Sequence, residues 1–325
     1  MKLVTFTVDT GFGGSERLGV LGDRGNVLDL NGAYSLTLAV RDDHPRCYEI
    51  ADALVPPDLL EFLRGGEFSY RAAVDAIAYL GKDAEDPATE GAEGEPIVYV
   101  ADDVEMLAPL PRPMAIKGAR LVGGPGGNGN GVQHGEELSF YRANADAVET
   151  TGMDIAIPSY AESLDYDVQV ACIVGAEGRD LDRRQAASCI AGYVLLNDLT
   201  ALGKGGLPLA GPMSALESSD FEMSNLFGPY MVTSDEFNPR GGSTAIASVE
   251  GDEWGRSTTA SIKHDFATIL MHLSQIEPLR VGDVVASGPM GVANGRELGR
   301  VIAPGSLVDI EIEGLGALSN RLVRL

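Results

Sequence analysis

Cysteine is scarce in this chain. There are three, Cys47, Cys172 and Cys189, and an odd number without short spacing excludes a disulfide framework and a cysteine-based zinc motif. Cys172 lies in an apolar strand-like run and Cys189 in a helix-like one, so both read as small core residues. Basic residues are also few: 24 Lys and Arg face 48 Asp and Glu, for a net charge of −24. That balance argues against a nucleic-acid partner and an anionic membrane surface. It fits a soluble protein, either adapted to salt or drawn from a host with an acidic proteome. No apolar run reaches the length of a membrane span. The first residues, Met1 to Phe6, follow a strand pattern and not that of a signal peptide, so the cytoplasm is the expected compartment. The glycine-rich run 123–135 lacks the Gly-Lys-Ser/Thr ending of a phosphate loop and reads as a lid-like loop. There is no internal repeat.

What is present is material for a core. With 325 residues and 44% hydrophobic content, the chain can form one large domain, or a large and a small one. Residues 1–30 read as a β-meander, and 51–63 and 70–80 carry helical periodicity. An acidic, aperiodic stretch at 82–95 is a surface linker. The cluster Pro109-Leu110-Pro111-Arg112-Pro113 cannot continue a ladder and marks the expected boundary between domains 1–108 and 109–325. Beyond it strands dominate: 243–249 (with 257–262 as an extension), 308–312 and 318–323, with helices at 182–191 and 265–275. Residues 199–219 read as loop. The fold class is α+β, mostly β.

The stretch 164–198 holds the main chemical signal. Tyr166, Val168, Val170 and Cys172 alternate with Asp165, Asp167, Gln169 and Ala171, which is a strand of period two. Asp167 and Gln169 therefore share a face, about 6.6 Å apart along the strand. Two oxygen-bearing side chains so placed form a half-site for a hard cation, and Asn197-Asp198 at the end of the next strand can supply a third ligand. The alternative is an edge strand with a solvated polar face.

Five segments, in order, resemble motifs of the fumarylacetoacetate hydrolase (FAH) family. Residues 164–175 are similar to its Leu-Asp-Tyr-Glu-x-Glu-Leu-Ala-x-x-Ile-Gly, and 192–201 to Gly-Tyr-x-x-x-Asn-Asp-x-Ser-Ala. Residues 228–236 are similar to Gly-Pro-Trp-x-Val-Thr-x-Asp-Glu, 281–288 to Pro-Gly-Asp-Val-Ile-x-x-Gly, and 310–320 to Glu-Ile-Glu-Gly-Ile-Gly-x-Leu-x-Asn. The resemblance implies a small N-terminal α/β domain followed by a mixed β-sandwich roll, assembled as a homodimer. It also implies metal-dependent C–C cleavage of acylpyruvates, with decarboxylases and isomerases among the relatives.

The implied metal ligands fall on Asp167, Gln169 and Asp198, with Mg²⁺ or Mn²⁺ as the expected ion. Gln169 is neutral where the family has a carboxylate, and Asp167 is one methylene short. The implied acid/base dyad of the lid falls on His134 and Glu137. Substrate-facing positions fall on Asn197, Leu202 and Pro289; here Leu202 replaces an arginine and Pro289 a threonine. Lys263, outside the family motifs and just before the helix at Asp265, either compensates as a substrate-binding residue or is a helix-start surface residue. Three functions follow: metal-assisted C–C hydrolysis or a related lyase step on an enolisable keto or β-dicarbonyl substrate; isomerisation, cyclisation, dehydration or decarboxylation of a less charged small molecule in a biosynthetic pathway, with weak or no metal; or a non-catalytic dimeric scaffold.

Overall fold

The computed structural model describes residues 1–11, 13–122, 137–209 and 214–324. The elements that matter for the site are β1 (Lys2–Thr10), α1 (Gly66–Leu80), β2 (Ala115–Val122), β3 (Glu137–Ala143), β4 (Val168–Val174), β5 (Ile190–Asp198), β6 (Asn225–Thr233), α2 (Phe266–Ile276) and β7 (Asp283–Ala286). Among the described residues a 12-stranded sheet carries the order β1-β6-β5-β4-β7-β2-β3 from its interior out to one end. All of these neighbours are antiparallel except β7 and β2. The expected meander is present as β1, Gly13–Leu21 and Asn26–Asp29. Because β1 pairs with β6, one sheet runs through both the N-terminal and the C-terminal segments.

The sheet is covered on both faces. Alternation along β4 sends Val168, Val170, Cys172 and Val174 into a core shared with a five-stranded second sheet that includes Thr244–Val249, Leu307–Ile312 and Gly316–Val323. Ala171 and Ile173 face the other way, against Phe62, Leu63, Ala72 and Ala73 of the N-terminal helices. Every residue of β4 is buried, so the edge-strand reading is excluded. α2 presents the expected stripe of Phe266, Ile269, Leu270 and Leu273 to the core, and Asp265 caps it through the Thr268 N–H.

Three local readings are corrected, one being that Ser214–Ser219, at the end of the stretch read as loop, is a short helix. Residues 257–262 do not extend the strand at Thr244–Val249. Glu250 and Gly251 both adopt positive φ, 53° and 81°, and form a two-residue turn into the antiparallel strand Asp252–Thr258. Within the stretch read as loop, Thr200–Leu202 is a strand paired with Ser163–Asp165. Its three residues are too few for periodicity to register.

The parallel β7–β2 junction carries a buried ion cluster. Lys117, 1% exposed, donates to Asp283 Oδ2 at 2.7 Å and lies 3.2 Å from Glu277, which pairs with Arg142 at 2.6 Å. Such a charge is tolerable inside only when paired. Among the described residues no helix is long and apolar enough to cross a membrane.

Candidate active site

The site grows from the register of two strands. Val168 sits opposite Asn197. At this end the Asp198 N–H donates to the Asp167 carbonyl at 3.0 Å, and the Asp167 N–H donates to Asn197 Oδ1 at 3.1 Å. The two aspartates are thereby brought side by side. Gln169, 1% exposed, lies between them. Its Oε1 accepts the Gly288 N–H at 3.0 Å, and this fixes the amide's orientation. Nε2 must then face the carboxylates, and it donates to Asp167 Oδ2 at 2.9 Å and Asp198 Oδ2 at 3.4 Å. Gly288 is required for this: it has φ +79°, and a Cβ there would collide with the Ala119 carbonyl.

A fourth group completes the cluster. The Tyr141 hydroxyl donates to Asp198 Oδ2 at 2.6 Å. Tyr141 on β3 sits opposite Gly118 on β2, and a Cβ at position 118 would collide with its ring and hydroxyl. The phenol therefore lies across β2 where only glycine leaves room. Arg120, on the same face of β2, holds its guanidinium 5.1 Å from the ring centroid. Gly118→Ala is expected to swing the ring away from Asp198 while β2 keeps its pairing. Activity should then fall on the order of tenfold, as for a lost charge-assisted hydrogen bond. A crystal structure of the variant together with its rate checks this.

Electrostatically the cluster is a carboxyl pair held close in a low-dielectric setting. Burial, then the charge of Asp198, pushes Asp167 up to about 8. Burial also raises Asp198, but the Tyr141 hydroxyl and the Arg120 charge oppose that rise. Burial and the adjacent Asp198 hold the Tyr141 phenol well above its ordinary range. Asp167, Asp198 and Tyr141 are each partly buried.

Asp167, Gln169, Asp198 and Asn197 are thus brought together, with Asn197 buried and positioning the backbone of Asp167. Leu202 is 2% exposed and packed inside. Pro289 is exposed and follows Gly288; Lys263 is exposed ahead of α2. His134 and the rest of the glycine-rich run lie outside the described residues, and of Glu137 only the backbone is described, opening β3 opposite Val122. Tyr141, Gly118 and Arg120 were not singled out from the sequence, because their meeting depends on the β2–β3 register, which no local pattern encodes.

The expected ligand trio does not fit Mg²⁺ or Mn²⁺ as arranged. A hard cation requires oxygens, and the oxygen of Gln169 is already engaged by Gly288. Its NH₂ points into the space a cation would share with the two carboxylates. Turning the amide over would strand the buried Gly288 N–H, at about 1–3 kcal/mol. Among the described residues no group of three His, Cys, Asp or Glu side chains is suited to holding a metal.

A helix-covered mixed sheet, packed on a second sheet, with a carboxylate cluster at the ends of two central strands, defines an α+β protein of the β-roll type. A family model for the fumarylacetoacetate hydrolase C-terminal domain matches residues 128–323, and the chain belongs to that family. A mitochondrial oxaloacetate tautomerase of Xenopus laevis is 24% identical, over 99% of this chain and 90% of its own length. An uncharacterized protein of Archaeoglobus fulgidus is 25% identical, over 72% and 90%. Among solved structures, a fumarylacetoacetate hydrolase from Exiguobacterium antarcticum matches with TM-score 0.69 and 21% identity, covering 100% of both chains. A maleylpyruvate hydrolase from Sphingobium sp. SYK-6, solved with manganese and pyruvate, matches with TM-score 0.67 and 18% identity, covering 100% and 99%. The family thus spans hydrolases and isomerases or tautomerases.

Proposed function

We propose that this chain is an enzyme that moves a proton on an enolisable keto or β-dicarbonyl substrate, a tautomerisation or isomerisation, by acid/base chemistry that needs no divalent cation. The observation that carries this reading is the Gln169 amide, oriented by Gly288 and bridging the two carboxyl groups. It supplies the hydrogen bonds that keep two acids close. Of two such neighbours, one can be ionised while the other holds a proton.

In the forward direction the Asp198 carboxylate takes the proton from the carbon beside the carbonyl. The C–H electron pair becomes the enol double bond, and the carbonyl oxygen receives the Asp167 proton. Asp198 then gives its proton to solvent and Asp167 takes one up from solvent, which resets the pair. Tyr141 holds the Asp198 carboxylate in place through its hydroxyl. The tautomerase named among the relatives performs chemistry of this class.

The test is keto–enol interconversion of oxaloacetate, followed by ultraviolet absorbance with and without a strong chelator. An unchanged catalysed rate in chelator is expected. Loss of activity in chelator, with recovery on Mn²⁺ addition, would overturn the metal-free reading in favour of metal-assisted enolisation.

A further inference from the structure

Asp167 sits in a junction between two strands. The strand Ser163–Asp165 ends before it and β4 begins after it, so residues 166 and 167 belong to neither. On one side β5 holds this junction, through Asn197 Oδ1 and the Asp198 N–H. On the other side it meets a turn 130 residues further along the chain. Asp165, 4% exposed, accepts three backbone N–H groups. Tyr166 at 3.1 Å and Gly295 at 2.9 Å donate to Oδ1, and Arg296 at 2.9 Å donates to Oδ2. The Tyr166 hydroxyl donates to the Ala293 carbonyl at 2.7 Å. Both residues that lead into Asp167 are therefore bound to one segment, 293–296.

That segment is held from several sides. The Arg300 N–H donates to the Gly295 carbonyl at 2.7 Å, and Asn294 Oδ1 accepts the Glu297 N–H at 3.0 Å. The Arg300 guanidinium lies 5.2 Å from the Trp254 ring centroid, which ties the turn to the strand Asp252–Thr258 of the second sheet. A Cβ at Gly295 would stand 3.0 Å from Asp165 Oδ1 and 2.9 Å from the Arg300 carbonyl oxygen, so glycine lets the carboxylate reach its N–H. Hydrogen bonds to an ionised carboxylate are roughly twice as strong as neutral ones, so most of the grip comes from Asp165. What this grip aims is the Asp167 carboxyl, whose Oδ2 lies 2.9 Å from Gln169 Nε2. A misplacement of about 1 Å at such a group costs on the order of a hundredfold in rate.

We propose that Asp165 and Tyr166 are positioning residues: they clamp the junction to the turn 293–297 and thereby set the direction of the Asp167 carboxyl. Both act through Asp167 and not on the substrate. The consequence for rate rests on the proton-transfer reading above, in which Asp167 delivers a proton to the carbonyl oxygen.

The test uses two variants of the full chain that keep the buried volume. Asp165→Asn retains one acceptor oxygen and sets an NH₂ against an N–H it no longer serves; Tyr166→Phe removes only the hydroxyl. The first readout is crystallographic and independent of activity. The distance from Asp167 Oδ2 to Gln169 Nε2 should lengthen in both variants, beyond about 3.5 Å in Asp165→Asn. The second readout is steady-state tautomerisation of oxaloacetate, corrected for the folded fraction. There kcat should fall about 10–100-fold in Asp165→Asn and about 3–10-fold in Tyr166→Phe, with KM changed only a few-fold. The double variant should lose less than the product of the two losses, because both act through one turn. Should Asp165→Asn fail to fold, Tyr166→Phe carries the test by the same two readouts. An unchanged Asp167–Gln169 distance would overturn the proposal, and so would losses that multiply or an effect confined to KM or to the unfolding midpoint. If the wild type catalyses no tautomerisation while the distance lengthens in the variants, the proton-transfer reading falls and the clamp stands.

Discussion

Replacing Asp198 by Asn is expected to slow tautomerisation by about 10²–10⁴-fold, the usual contribution of a positioned general base. The carboxamide occupies the same volume and can still accept the Tyr141 hydroxyl now bonded at 2.6 Å, so the local structure should persist. The loss should therefore fall on kcat, with KM changed only a few-fold. The unfolding midpoint should stay close to that of the wild type, because the substitution removes a half-buried charge that has carboxylates for neighbours. Steady-state kinetics with an unfolding curve on the same preparation checks both halves. A rate within threefold of the wild type would remove Asp198 from the mechanism.

The second large effect is a gain. Gln169→Glu would place a third carboxylate between Asp167 and Asp198, giving a hard cation the oxygens that the amide withholds. Without metal this variant should be destabilised by roughly 3–5 kcal/mol, the scale for an uncompensated buried charge. It would also strip the Asp167 and Asp198 carboxylates of the amide donor they now share. Mn²⁺ should restore stability, by about 2.7 kcal/mol at a hundredfold excess over Kd. The wild-type melting curve should be flat against Mn²⁺ over the same range. A variant that gains no Mn²⁺ response would show that the pocket around residue 169 is closed to a cation for reasons other than the amide.

The site was legible in the sequence wherever its geometry is a property of one strand or of two adjacent ones. Period two placed Asp167 and Gln169 on one face, and they meet at 2.9 Å. The chain also turns directly from β4 through a short helix to β5, so Asp198 at the end of β5 reaches the start of β4. What stayed hidden depends on distant pairing. Tyr141 reaches Asp198 only because β7 lies between β4 and β2 and because Gly118 sits opposite the tyrosine. Nothing local to Phe140-Tyr141 signals this. The polarity of Gln169 suggested a solvated edge, whereas the strand is central and the amide is buried with all its partners inside the protein. In the fold, strands and long helices followed their periodicity, and the misses were segments set by turns, such as Glu250-Gly251, or by a three-residue pairing such as Thr200–Leu202.

The central claim is that the amide of Gln169 stands where a cation would be. A crystal of the wild-type protein soaked in MnCl₂, with anomalous data collected at the manganese edge, tests it directly. The account predicts no anomalous peak between Asp167 and Asp198, with Gln169 Oε1 still on the Gly288 N–H. A peak there ligated by Gln169 Oε1 and both carboxylates would contradict it.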